Sequence, residues 1–182
     1  MAIELEPIGV IRSPYADWAP HQPPERDAPE GRFAIVLEER YADWVDDLGS
    51  FDLIYVITLL DRVAGEAAPR VTPPWARGQQ VGLFASRSPR RPNPSGLTIA
   101  RLVGVEGATL HTGPLDLFDG TPVLDVKPYI ATLDARPTSG DGWLERLEGH
   151  EHLLQHLRGM PHEHGHDHEH GHDHGHDHDH DA

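Results

Sequence analysis

The sequence predicts a mainly β fold: a small closed or nearly closed β-barrel with one short helix inserted, a C-terminal helix and a disordered His-rich tail. Three observations carry that expectation. Short runs rich in Val, Ile, Tyr, Phe and Thr recur between Gly- and Pro-rich turns, which is strand composition with turn punctuation. Strands and helices do not alternate regularly, which argues against a doubly wound nucleotide-binding fold. From Pro161 onward the chain is almost purely His, Asp, Glu and Gly and offers nothing to bury.

In chain order, residues 4–12 read as a short strand ended by Ser13 and Pro14. Residues 16–32 are proline-rich and poor in apolar side chains, which indicates a surface loop. Residues 33–39, FAIVLEE, form the next strand. Tyr41, Trp44, Val45 and Leu48 fall at i, i+3, i+4 and i+7, the spacing of a short amphipathic helix stopped by Gly49. Residues 51–63, FDLIYVITLLDRV, are nearly continuous apolar and read as a central strand buried on both faces. Strands are also expected at 80–86, 97–107, 108–116 and 121–131, the last two separated by an Asp-Gly-Thr turn. Trp143, Leu144, Leu147, Leu153, Leu154 and Leu157 mark a C-terminal amphipathic helix over residues 140–160, with Gly149 as a potential break. The expected organisation is a barrel domain at 1–135, a helical segment at 136–160 and the tail at 161–182.

The 182 residues suffice for one domain with a real core. The formal net charge is −15, but seven acids lie in the tail, which leaves the body at −8. That balance argues against broad nonspecific nucleic-acid binding, although it permits a local basic patch. Cysteine is absent, so a disulfide framework and a thiolate metal site are both excluded. The N-terminus lacks a basic region followed by an apolar run, and no apolar stretch approaches the roughly 18 residues of a membrane helix. A cytoplasmic protein without a membrane anchor is the expectation.

Two segments carry chemistry. Residues 84–96, FASRSPRRPNPSG, place Arg87, Arg90 and Arg91 among three prolines, so the loop is stiff, irregular and cationic. Such a loop suits an anionic or carboxylate-bearing ligand, though a purely structural Ω-loop has the same composition. Residues 115–129, LDLFDGTPVLDVKPY, bring Asp116, Asp119 and Asp125 together with the chain's only lysine, Lys127. On its own this is equally an ordinary Asp-Gly turn between two strands.

Taken together with IGVIRSPY at 8–15 and Pro20–x–Gln22, these segments resemble, in order and spacing, the TsaA/YaeB (TrmO-type) family of S-adenosylmethionine-dependent tRNA N6-adenosine methyltransferases. The resemblance covers residues 8–129. It implies a small β-barrel that forms a homodimer and binds S-adenosyl-L-methionine near the subunit interface. It further implies tRNA as partner, with methylation of N6-threonylcarbamoyladenosine next to the anticodon. By the same resemblance, Pro20, His21 and Gln22 form one wall of the cofactor site, and Leu60 and Asp61 another. Arg87 is the cofactor-site arginine, Leu97 an apolar contact, and Asp116, Leu117, Phe118, Asp119, Gly120 and Thr121 wrap the nucleoside end. Asn93, Asp119 and Tyr129 are the candidates for polarising the acceptor amine or taking its proton, and Arg90 and Arg91 are left for an anionic substrate or the partner subunit. Asp61 stands where the family usually has His or a polar pair, and Ser95 replaces an apolar residue. The long C-terminal domain of some members has no counterpart.

The tail alternates His162, His164, His166, His168, His170, His172, His174, His176, His178 and His180 with Asp, Glu or Gly. Imidazoles interspersed with carboxylates suit Zn, Ni, Co or Cu in shifting geometries rather than one closed site. A solubilising tail with incidental metal affinity is the alternative. Two further functional readings remain beside the tRNA enzyme: a methyltransferase for a small or metal-chelating metabolite, and a metal-responsive binding protein whose barrel holds the cofactor.

Overall fold

In the computed structural model the described residues are 3–17, 32–74, 76 and 78–149. Pro20, His21 and Gln22, together with the ten tail histidines, lie outside them. The described part is mainly β with few helices. Its strands are β1 (Gly9–Arg12), β2 (Ala34–Leu37), β3 (Leu53–Leu59), β4 (Arg70–Val71), β5 (Val81–Gly82), β6 (Ser95–Glu106), β7 (Thr109–Thr112) and β8 (Pro122–Pro128). A four-residue helix, α1 (Ala131–Asp134), follows.

Six strands pair in the cyclic order β1-β2-β7-β6-β3-β8, which closes on itself as a barrel, and β4-β5 form a separate two-stranded ribbon. Every neighbouring pair in the ring is antiparallel. The twelve-residue β6 serves two partners: its first half pairs with β3, from Ser95↔Leu59 to Arg101↔Leu53, and its second half with β7. Register shifts at Ile57/Thr58 and at Leu102/Gly104 bend the sheet where closure demands curvature. Two glycines permit close approach. A Cβ on Gly9 would run into the Val36 carbonyl, and one on Gly96 into the Thr58 hydroxyl and Leu60.

The interior is filled by the inward residues of each strand. Ile11, Ile35, Ile54, Val56, Leu110 and Val123 are fully buried, with Leu115, Leu117 and Phe33 closing one end. The continuous apolar run of β3 is not buried on both faces, contrary to expectation. Only alternate residues, Ile54, Val56 and Thr58, point inward; Leu53, Tyr55, Ile57 and Leu59 face out and are half-buried. A barrel gives each strand one inner face, so the apolar outer residues must be explained otherwise.

Other departures have local causes. The segment expected as an amphipathic helix forms two 3-10 turns, Glu39–Val45 and Leu48–Ser50. They are separated at Asp47, whose φ of 63° is left-handed and cannot continue a helix. Residues 80–86 give only two strand residues before a 3-10 turn at Leu83–Ala85. In the expected C-terminal helix, the described portion contains a 3-10 turn, Gly142–Arg146, bracketed by Gly142 and Gly149 at positive φ. Glycines in that conformation end helical geometry on both sides; residues 150–160 lie outside the described part.

Candidate active site

Because all ring neighbours are antiparallel, successive connections alternate between the two ends of the barrel. The connections that follow β1, β3 and β7 therefore leave from the same end. Leu60, Asp61, Arg87 and residues 116–121, singled out by sequence for the cofactor, belong to these connections, and Leu97 does not.

The turn at 117–121 is stitched to the segment after β1. Gly120 N donates to Ile11 O (2.8 Å), Ile11 N to Thr121 O (2.9 Å) and Asp119 N to Tyr15 O (2.8 Å). The Ser13 hydroxyl donates to Leu117 O at 2.7 Å and accepts from Tyr15 N at 3.3 Å. The Asp119 carboxylate accepts from Ser13 N (3.2 Å) and lies 3.4 Å from the Arg12 guanidinium. Asp119 is thus engaged in shaping the loop. Gly120 has a φ of +80°, the left-handed geometry that the turn requires. Tyr15 packs on Phe33, and its hydroxyl pKa is raised, first by burial and then by the nearby Asp116 charge.

One residue missed by sequence reasoning holds this end together. Arg62, just beyond β3, donates to Ala16 O (3.0 Å) and to Asp119 O (2.6 Å), and its guanidinium sits 5.4 Å from the Phe118 ring centroid. A Cβ on Gly120 would stand only 3.5 Å from its Nη2. A single planar fork therefore links the ends of β1, β3 and the 116–121 turn, using several donors at once. Its partners are backbone carbonyls 46 and 57 residues away, and no motif in the sequence signals them.

The Arg-Pro loop is satisfied largely by itself. Ser86 Oγ donates to Leu83 O (2.8 Å) and accepts from Ser88 N (3.2 Å). Arg91 donates to Ser86 O at 2.9 Å, reaches Leu83 O at 3.4 Å and lies over the Phe84 ring, 5.5 Å from its centroid. One nitrogen of Arg91 thus folds back onto the loop's own carbonyls, of which Ser86 O receives its closest bond. Ser95 N donates to Asn93 O, and Leu60 N to Pro94 O, both at 2.7 Å. The second bond ties the loop to the end of β3. Arg87 and Arg90 are exposed and make no hydrogen bond or ion pair among the described residues.

The structure thus brings Leu60, the Arg-Pro loop and Asn93 into contact at the end of β3, and joins the Asp116–Thr121 turn to the same end through Arg62. Asp61 is exposed there, its amide bonded to Leu59 O at 3.0 Å. Leu97 faces outward on β6 and is 65% exposed. Tyr129 is not brought into the group. Its amide donates to Leu53 O and its ring lies 5.5 Å from Tyr55, so it stands at the opposite end of β3, roughly 20 Å from Leu60 within one chain. Among the described residues no three His, Asp or Glu side chains are grouped to hold a metal ion.

Residues 10–135 match the tRNA-methyltransferase O N-terminal domain. The chain belongs to that family. A probable S-adenosyl-L-methionine-binding protein of Archaeoglobus fulgidus is 38% identical over 152 residues, covering 80% of this chain and 39% of that protein. A tRNA (adenine(37)-N6)-methyltransferase of Escherichia coli is 34% identical over 152 residues, covering 79% of this chain and 65% of that protein. The crystal structure of TrmO from Pseudomonas aeruginosa superposes with a TM-score of 0.63 at 30% identity, covering 78% of this chain and 62% of that one. The chain thus spans less than two thirds of each of these three relatives.

Replacing Arg62 with Ala removes the guanidinium that joins the three segments. For an exposed charge-assisted pair the expected cost is about 1 kcal/mol of local stability, or roughly fivefold faster hydrogen exchange at the Asp119 and Gly120 amides. Unchanged exchange there would show that the backbone stitching alone holds the turn.

Proposed function

We propose that this chain is an S-adenosyl-L-methionine-dependent methyltransferase that acts on N6 of adenosine 37 in tRNA, with the threonylcarbamoylated nucleoside as its substrate. Family membership and the names of its relatives support the reaction class. The structural observation that carries it is Arg87: an exposed guanidinium without a partner among the described residues, on the loop that the Leu60–Pro94 bond ties to the end of β3.

The residues fit the cofactor. Arg87 suits the methionine carboxylate as a charge-assisted, bidentate donor. The 116–121 turn offers a glycine at positive φ, backbone groups for close approach and the Asp116 carboxylate for ribose hydroxyls. When bound, the cofactor supplies a methyl group on a sulfonium that is already a good leaving group. The protein's task is therefore chiefly to position. Asn93, exposed at the same end, is the candidate for polarising the acceptor amine.

Replacing Arg87 with Ala is expected to weaken cofactor binding by calorimetry on the order of tenfold or more. Nucleoside mass spectrometry of tRNA incubated with the wild-type protein and cofactor should yield the N6-methylated threonylcarbamoyl nucleoside. Its absence, with cofactor still bound, would redirect the assignment to a small-molecule acceptor.

The outer face of β6 and β3 supports a homodimer. Leu97, Ile99 and Val103 are 65%, 52% and 61% exposed, and Tyr55 and Ile57 lie beside them on the neighbouring strand. Leu97 and Ile99 form an apolar patch with Ile57 and Tyr55, and Val103 lies beyond Arg101 on the same strand; an exposed patch of this kind is the composition of an interface. A second copy covering it would also bury Leu97 beside the cofactor loop. Ile99→Lys should shift the protein toward monomer in sedimentation velocity; an unchanged sedimentation coefficient would place the interface elsewhere.

The alternating histidines at 162–180 support a divalent-metal store appended to the enzyme, since neutral imidazoles with neighbouring carboxylates ligate Zn, Ni or Co. Deleting residues 161–182 should abolish binding of several equivalents of Ni or Zn in equilibrium dialysis and leave methyl transfer intact. Loss of methyl transfer on deletion would tie the tail to the substrate instead.

A further inference from the structure

We infer that Phe84 and the open cavity beside it form a stacking platform for an unpaired base of the RNA, next to the cofactor loop. The inference rests on the tRNA reading above and adds to it the place where the nucleic acid is gripped.

Phe84 is 80% exposed although it lies in the middle of a folded segment, the 3-10 turn between β5 and the Arg-Pro loop. A cavity of about 390 Å³ opens at its side, lined by Ala67, Ala68, Pro69, Leu83, Phe84 and Pro92. The lining is almost wholly apolar, so a ligand held there is recognised by its flat face and not by its edges.

Two features make the ring a prepared surface. The Arg91 guanidinium lies over the ring at 5.5 Å and is fixed by the Ser86 and Leu83 carbonyls. The Trp143 indole N–H donates to Ala85 O at 2.8 Å, holding the turn through the C-terminal segment. One side of the ring is backed by a cation and the rest is open, the arrangement in which an aromatic accepts a base by stacking.

Charge identifies the occupant. Arg87 and Arg90 flank the platform on the same loop, exposed and unpaired among the described residues. Arg90 lies against the Gly65 turn, where a Cβ would stand 3.8 Å from its Cζ. In a protein of net charge −15, the exposed Arg90, on the same loop as a ring that Arg91 already backs, supplies a local cation for a phosphate next to a splayed base. An apolar peptide would need no such cations.

The test uses the full-length protein and a tRNA anticodon stem-loop carrying 2-aminopurine in its loop, compared across wild type, Phe84→Leu and Phe84→Trp. Phe84 is exposed, so both variants should fold; thermal melting and cofactor affinity equal to wild type confirm it. Stacking on the ring predicts quenching of the 2-aminopurine signal by wild type and by Phe84→Trp. Phe84→Leu should lose the quenching and bind the stem-loop about tenfold more weakly. Equal quenching and affinity for Phe84→Leu would overturn the platform while leaving the enzyme reading intact. A changed sedimentation coefficient for Phe84→Leu with unchanged RNA affinity would assign the ring to a protein interface and overturn it as well. A wild-type protein that binds cofactor but not the stem-loop would overturn the tRNA reading and, with it, the platform.

Discussion

Each strand of the ring has two antiparallel neighbours, and that single constraint organises the molecule. An antiparallel ring of six allows connections only between strand ends on the same side, so the links alternate from end to end. The β2–β3 and β6–β7 links share one end; the connections that follow β1, β3 and β7 leave from the other. Loops that are far apart in sequence thus become neighbours without a dedicated domain to gather them. Closure also removes exposed sheet edges, so the barrel can carry long, irregular loops without risking edge-to-edge pairing. The glycines at 9 and 96 sit where strands approach too closely for a side chain.

Much of the fold was legible because burial follows strand period. The strands around Gly9–Arg12, Ala34–Leu37, Leu53–Leu59 and Pro122–Pro128 were marked by β-branched composition and turn punctuation. What failed was helical periodicity. Tyr41, Trp44, Val45 and Leu48 have the spacing of an amphipathic helix, yet Asp47 takes a left-handed conformation and splits the segment. Spacing reports which side chains share a face if a helix forms; it says nothing about whether the backbone can form one. The apolar run of β3 misled in another way. Its outer residues suggested burial on both faces, whereas in a closed ring they lie half-buried on the outside, Tyr55 and Ile57 beside the exposed Ile99 and Leu97.

For the site, the sequence marked the right loops but not the division of labour within them. Arg87, Arg90 and Arg91 are indistinguishable as letters. Only the structure separates Arg91, which satisfies two loop carbonyls, from its two exposed neighbours. Asp119 likewise stood out as a chemical acid, but its carboxylate and both backbone groups are engaged in holding the turn. Arg62 drew no notice, because a lone arginine after a strand is ordinary and its partners are carbonyls of distant loops. Long-range hydrogen bonds to the backbone leave no signature in residue identity at either end.

That division explains how an acidic chain can present a cationic grip. The prolines of the Arg-Pro loop fix φ at three positions and remove three backbone donors, which strands carbonyls that must be satisfied from elsewhere. Arg91 meets that need at Ser86, and Leu60 at Pro94. A loop rigidified in this way loses little conformational entropy when a ligand arrives. The electrostatics are local as well. At physiological ionic strength the field of a surface charge decays within about 8 Å, so acids elsewhere on the barrel do little to cancel guanidiniums clustered on one loop. The net charge of −15 therefore weakens long-range attraction of a polyanion and leaves short-range capture to the loop. In the proposed reading RNA is held by shape and stacking to a greater degree than by bulk charge, and the exposed ring of Phe84 matters as much as the arginines around it.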